Sequence, residues 1–153
     1  MATIIDGIDG LKAKVGEHLG HSEWLEITQD QVNLFADATG DHQWIHVDVE
    51  RAKAESPFGG PIAHGYLTLS LIPVAMPQIM QVTGIAMGVN YGANKVRFLS
   101  PVKVGANLRL GAELTEVEEL PGNGAQVYMT FTFEIEGSDK PAAVADIIFR
   151  YYV

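Results

Sequence analysis

AHGYLTLSLIPVAMPQIMQ, residues 63–81, decides the fold. From Ala63 to Gln81, Leu, Ile, Val, Ala and Met follow one another with little polar relief, too apolar for a helix with one face in water. The run predicts a long central helix covered on every side. His64, Pro73, Pro77 and Gln78 would be costly in hydrocarbon, so it reads as a buried helix and not as a membrane span. Pro73 and Pro77 each remove a backbone donor, which predicts a kink or break near them.

Downstream the period changes. Val127, Met129, Phe131, Phe133 and Ile135 alternate with polar residues between Gln126 and Glu136, and Leu108, Leu110, Ala112 and Leu114 do the same, the signature of half-buried strands. PGNGA between these segments is a hairpin signal. With Val89 to Leu99 and Ala143 to Tyr152, at least four strands follow in sequence, which predicts an antiparallel meander. A greasy helix and a sheet with one apolar face form an α+β layer structure in which the sheet wraps the helix.

Upstream lies the chemistry. Thr28 before Gln29, Asp30 and Gln31 is an N-cap signal, and Val32, Leu34, Phe35 and Ala38 form an apolar stripe on a helix that Gly40 ends. Asp41 to Val49 reads as a polar loop, after which Asp48 caps a short helix, VERAKA, stopped by SPFGGP. The loop sets a carboxylate, Asp41, and an imidazole, His46, five residues apart, where both can fold onto one point. Such a pair, sharing one water, can add water across the α,β double bond of a thioester: one group takes the proton, and one delivers a proton to Cα. The same residues also fit plainer roles, Asp41 as a turn cap and His46 as a satisfied semi-buried histidine. A metal site built from His42 and His46 with Asp41, Asp48 or His64 is a further alternative, but no cysteine or His-Glu-x-x-His pattern supports it.

Composition narrows the rest. A chain of 153 residues is the size of one domain, and 47% hydrophobic with 19% charged residues is globular. Ten basic and nineteen acidic side chains give a net charge of −9, which disfavours nucleic acid and anionic membrane as partners. The absence of cysteine removes disulfides, thiolate nucleophiles and Cys-ligated zinc. The start, MATIIDGIDG, lacks the basic and apolar regions of a secretion signal, so a cytoplasmic location is expected.

Phe35-x-x-x-Thr39-Gly40-Asp41-x-x-x-Ile45-His46-x-x-x-x-x-Ala52 resembles the hydratase signature of MaoC-like dehydratases and (R)-specific enoyl-CoA hydratases. The family's usual Asn-Pro is Gln43-Trp44 here, while the Asp-to-His spacing is kept. Ala63-His64-Gly65-Tyr66-Leu67 is similar to the family's start of the central helix. Asn90-Tyr-Gly-x-Asn-Lys-Val-Arg-Phe-x-x-Pro-Val102 resembles the strand that follows, particularly in its NodN-like branch. The three matches span residues 28 to about 105.

The resemblance implies a hot-dog domain over residues 1–153, with a long central helix wrapped by about five antiparallel strands and usually paired as a homodimer. It implies Asp41 and His46 as proton carriers and no metal or cofactor. A free N–H at the start of a helix can steady an enolate oxygen, a role that falls to Gly65, although this glycine also suits tight packing. The expected substrate is an acyl thioester, carried by CoA or by an acyl carrier protein. Asn94 is a candidate wall of the pocket, Trp44 of the acyl entrance, and Lys95 and Arg97, on one strand face, for CoA phosphates. Solvated edge-strand charges are the commoner explanation of Lys95 and Arg97. Trp24 and Trp44 read as packing anchors, His18 and His21 as surface residues, and Phe58-Gly59-Gly60 as a simple loop, with a flexible lip over the site as the alternative. Two other functions suit the same fold: a thioesterase, and a NodN-like protein that binds acyl thioesters without turnover.

Overall fold

The computed structural model describes residues 1–153. Six strands form the main sheet: β2 (His18–His21), β3 (Leu25–Glu26), β5 (Met87–Phe98), β6 (Asn107–Leu120), β7 (Gly124–Ile135) and β8 (Ala143–Tyr152). The order is β2-β6-β7-β8-β5, with β3 also on β6, and every pairing is antiparallel. The alternation read in the sequence is the cause. Val127, Met129, Phe131 and Phe133 are buried while Tyr128, Thr130, Thr132 and Glu134 are only half-buried, so β7 turns one row inward. The β6–β7 hairpin closes at Pro121-Gly122-Asn123, where Gly122 and Asn123 take positive φ of 83° and 61°.

Two expectations need correcting. The strands do not form a simple meander, because β5 pairs with β8 at the far side rather than with β6. The sheet has six strands rather than about five, since the short segments His18–His21 and Leu25–Glu26 pair with β6.

The central helix is broken, as its prolines predicted. It runs as α5 (Gly65–Ser70) and α6 (Ile72–Ile79), with the interruption at Leu71 and Pro73 in the first turn of α6, where no intrahelical donor is lost. Leu67, Leu71, Ile72, Ala75 and Ile79 face the sheet, and α6 packs on β6 and β2 while α5 packs on β8. Complete cover is not found: Tyr66 is 70% and Val74 55% exposed. β5 shares this openness, with Met87, Val89, Tyr91, Phe98 and Leu99 of the strand and its exit all exposed.

Before the central helix come β1 (Thr3–Asp6), α1 (Gly7–Ala13), α2 (Gln29–Thr39), α3 (Trp44–Val47) and α4 (Val49–Glu55). β1 pairs in parallel with β4 (Met80–Thr83), the strand directly after α6. Thr28 caps α2 by accepting from the Gln31 N–H at 3.2 Å, and Gly40 ends it at φ 80°. The buried face of α2 is Val32, Phe35 and Ala36, whereas Leu34 and Ala38 point to solvent. Asp48 caps α4 through the Arg51 N–H at 3.1 Å. The expected loop from Asp41 to Val49 contains one extra helical turn, α3, and this turn carries His46. No helix is long and apolar enough to cross a membrane.

Candidate active site

His46 is 6% exposed and is held from three directions. Its Nδ1–H donates to the Ile62 carbonyl at 2.7 Å, which leaves Nε2 as the free acceptor. Its own carbonyl accepts from the Gln29 side-chain amide at 2.8 Å, fixing the turn of α3 against the start of α2. The bridge from Ile62 to Ile45, N–H to carbonyl at 3.0 Å, sets the two segments in register. Burial pushes the His46 pKa below the ordinary imidazole value; neighbouring His64 acts in the same direction, and the Ile62 bond and Asp41 oppose it.

Asp41 is exposed and accepts from the Gln43 N–H at 3.3 Å, a short turn stabilised by its own side chain. It converges with His46 and with a third residue, His64, one ligating atom of each lying within 4.8 Å of the others. A single water can bridge groups at that separation, since two hydrogen bonds of about 2.8 Å span it. His64 is 3% exposed, donates from Nε2–H to the Asp41 backbone carbonyl at 3.0 Å, and stacks on His46 with centroids 3.8 Å apart at 25°.

This set of two histidines and a carboxylate has the composition of a metal site, but its geometry does not suit one ion. A metal held at about 2.0–2.1 Å lies along the nitrogen lone pair in the ring plane, and two rings stacked face to face cannot both point there. His42 takes no part: its ring pairs with Asp37 at 2.9 Å, which holds its pKa above the ordinary value.

A cavity of about 290 Å³ opens against His46 and Gly65. Its walls are mostly apolar, including Phe58, Ile62, Phe98, Leu99 and Val102, with Thr68 and Ser100 as the hydroxyls. Gly65 is the first residue of α5, so its N–H has no intrahelical acceptor. A Cβ at this position would stand 3.1 Å from the Phe98 ring, so the glycine also admits that ring. Phe58 lies in this wall, on the segment read as a simple loop with a lip as the alternative.

The remaining sequence candidates lie elsewhere. Asn94 sits at a bulge of β5 and lines a separate cavity of about 220 Å³ with Glu116, Tyr128 and Asp146. Lys95 and Arg97 share one face, as expected, but their register opposite Asp146 and Val144 puts that face on the side of the sheet away from the helices. The Trp44 ring carries the Arg51 guanidinium at 4.2 Å, and Trp24 carries that of Arg109 at 4.7 Å. Neither tryptophan lines the cavity at His46. The residue that sequence reasoning undervalued is His64, read only as part of a helix-start motif and as an optional metal ligand. Its signal was its position immediately before Gly65, which ties it to whatever the start of α5 does.

Residues 11–132 match the model of the MaoC like domain. The 3-hydroxyacyl-thioester dehydratase Z of Mycobacterium tuberculosis is 52% identical over 146 residues, covering 95% of this chain and 96% of that protein. Nodulation protein N of Rhizobium leguminosarum bv. viciae is 48% identical over 143 residues, covering 89% of this chain and 85% of that one. Among solved structures, the R-hydratase PhaJ1 of Pseudomonas aeruginosa superposes with a TM-score of 0.71 at 27% identity, covering 90% of this chain and 81% of that one.

Proposed function

The chain belongs to the MaoC-like dehydratase family, and from that membership we propose that it adds water to trans-2-enoyl thioesters, giving the (3R)-hydroxyacyl thioester, and catalyses the reverse dehydration. It is an enzyme of the dehydratase type with a hot-dog fold. The observation that carries the finer reading is a buried, neutral imidazole with a free Nε2, bordering an apolar cavity shared with the first N–H of a helix.

In the forward direction a water lies between Asp41 and His46. His46 Nε2 takes one of its protons as the oxygen attacks Cβ, and the electron pair of the double bond moves through Cα to the thioester oxygen. The Gly65 N–H donates to that oxygen while it is negative. The dyad then returns the proton to Cα, so one water is added and both residues end as they began. Phe58, Phe98 and Leu99 offer apolar surface to an acyl or pantetheine chain. No metal or redox cofactor enters this scheme.

The whole chain is read as one hot-dog domain that works as a homodimer in the cytoplasm. Support for the second copy comes from β5, an outer strand of the sheet with exposed apolar side chains, and from the open side of α5 and α6. Pairing two such edges continues the sheet and covers both patches.

The test is hydration of a short trans-2-enoyl-CoA, followed by loss of conjugated-thioester absorbance and by chiral analysis of the product. Asp41→Asn and His46→Ala should each lower kcat by at least about 10²-fold. Near-wild-type rates in folded variants would remove the dyad from the mechanism. Release of free thiol without hydration would indicate a thioesterase instead. The similarity to nodulation protein N keeps a second reading, a binder of acyl thioesters without turnover. It requires saturable acyl-CoA binding with no product.

A further inference from the structure

The structure assigns His64 to the site as a positioning residue: one side chain that holds the backbone of Asp41 through Nε2–H and the ring of His46 through its face, and so sets the separation of the two proton carriers. Asp41 lies on an exposed loop with only its own turn to steady it. The Nε2–H bond from His64 to the Asp41 carbonyl, reaching across 23 positions of sequence, anchors that loop to the start of α5. The stack, 3.8 Å between centroids, lies against the buried His46 ring, whose tautomer the Ile62 carbonyl already fixes. Phe35 of α2, with its ring centroid 4.9 Å from that of His64, is a further aromatic neighbour.

A merely packed histidine does not account for one detail. Because the Asp41 carbonyl can only accept, Nε2 of His64 carries the hydrogen, and Nδ1 is left as a buried acceptor without a partner. A phenylalanine would fill the same space without that unsatisfied atom. The imidazole is retained at a position where its donor reaches the dyad loop and its other nitrogen gains nothing. The titratable groups that converge with it are Asp41, from the loop, and His46, from α3; α2 offers the apolar Phe35.

The assignment rests on the hydratase reading for its kinetic consequence but not for its geometry, and the experiment separates the two. Nitrogen-15 spectra of the histidine side chains in the unaltered protein should show His64 as the Nε2–H tautomer with a slowly exchanging proton; the Nδ1–H tautomer would overturn the assignment whether or not the protein hydrates anything. His64→Gln keeps a donor near the Nε2 position, and His64→Phe keeps the aromatic face alone. On a short trans-2-enoyl-CoA, the Phe variant should lose about 10²-fold in kcat with little change in KM, the loss expected from misplacing reacting groups by about an ångström. The Gln variant should recover at least a tenth of the wild-type kcat. Equal kcat in wild type, Gln and Phe variants would overturn the assignment, as would equal losses in the two variants with wild-type circular dichroism. Where the unaltered protein turns over no enoyl thioester, the hydration reading falls. His64 is then judged by its tautomer in the unaltered protein, where the Nδ1–H form would overturn the assignment.

Discussion

In the proposed mechanism His46 serves as base only while Nε2 is unprotonated, and its burial extends that condition to more acid solution. With a pKa below the ordinary value of about 6.5, the acid limb of kcat/KM should fall below that point; a limb well above it would show that another group controls the rate. The sign for stability follows from the same shift. As pH drops below the ordinary value the unfolded chain binds the proton first, so stability declines from there down through the lowered value, measurable as a falling denaturation midpoint. Gly65 invites a second substitution. Gly65→Ala brings a methyl to 3.1 Å from the Phe98 ring and should cost kcat more than fold, with a near-native melting temperature and a rate reduced by an order of magnitude or more. At this scale the short spacing of Asp41 and His46 allowed convergence, and the family resemblance singled it out from the plainer roles the same residues fit. The sequence offered Asn94 as a pocket wall and put Lys95 and Arg97 on one face, but it could not say which side of β5 they occupy, because bulges after Asn90 and Ala93 decide that and no local pattern announces a bulge.

Among the elements, α2 does more for the site than its length suggests. Gln29 in its first turn holds the His46 carbonyl, Phe35 flanks His64, and Gly40 releases the chain into the loop of Asp41. Removing the cap that starts it, Thr28→Ala, should cost about 1 kcal/mol, a lowering of roughly 2–4 °C in melting temperature, and should also weaken activity through Gln29. An unchanged melting temperature would mean that packing alone sets the start of α2. Thr28 and Gly40 were legible because caps are local chemistry. The break in the central helix was legible for the same reason, since proline acts within one turn, although Pro77 sits inside α6 without ending it. The strand order was not, because β5 finds β8 across 45 residues (98 to 143), and a hydrophobic pattern states which face is buried but not against whom. The short strands β2 and β3 escaped notice because two to four mixed residues carry no period.

On the scale of the molecule, the apolar side chains divide between a closed core and an open margin. One cluster of 26 buried residues unites the sheet with α6, and Phe131 and Phe133 are its largest fully buried members. Tyr66, Val74, Met87, Val89 and Tyr91 lie outside it, on the helix and strand that a second copy would cover. Val74→Asp together with Val89→Asp should convert the dimer to a monomer by sedimentation velocity, with lower activity; a wild-type chain that stays monomeric at all concentrations removes the pairing. The junction of β5 with β8 also bears on how the molecule is made. During synthesis the loop of Asp41, α3 and the central helix leave the ribosome early, yet β5 meets its one partner in the sheet only after residues 143–152 emerge. At about 5–20 residues per second the 45-residue interval (98 to 143) lasts roughly 2–9 s. Through that delay the nascent chain carries an unpaired, greasy strand beside a half-built pocket, the kind of segment that a holdase would shield and that a stalled ribosome would leave prone to aggregation.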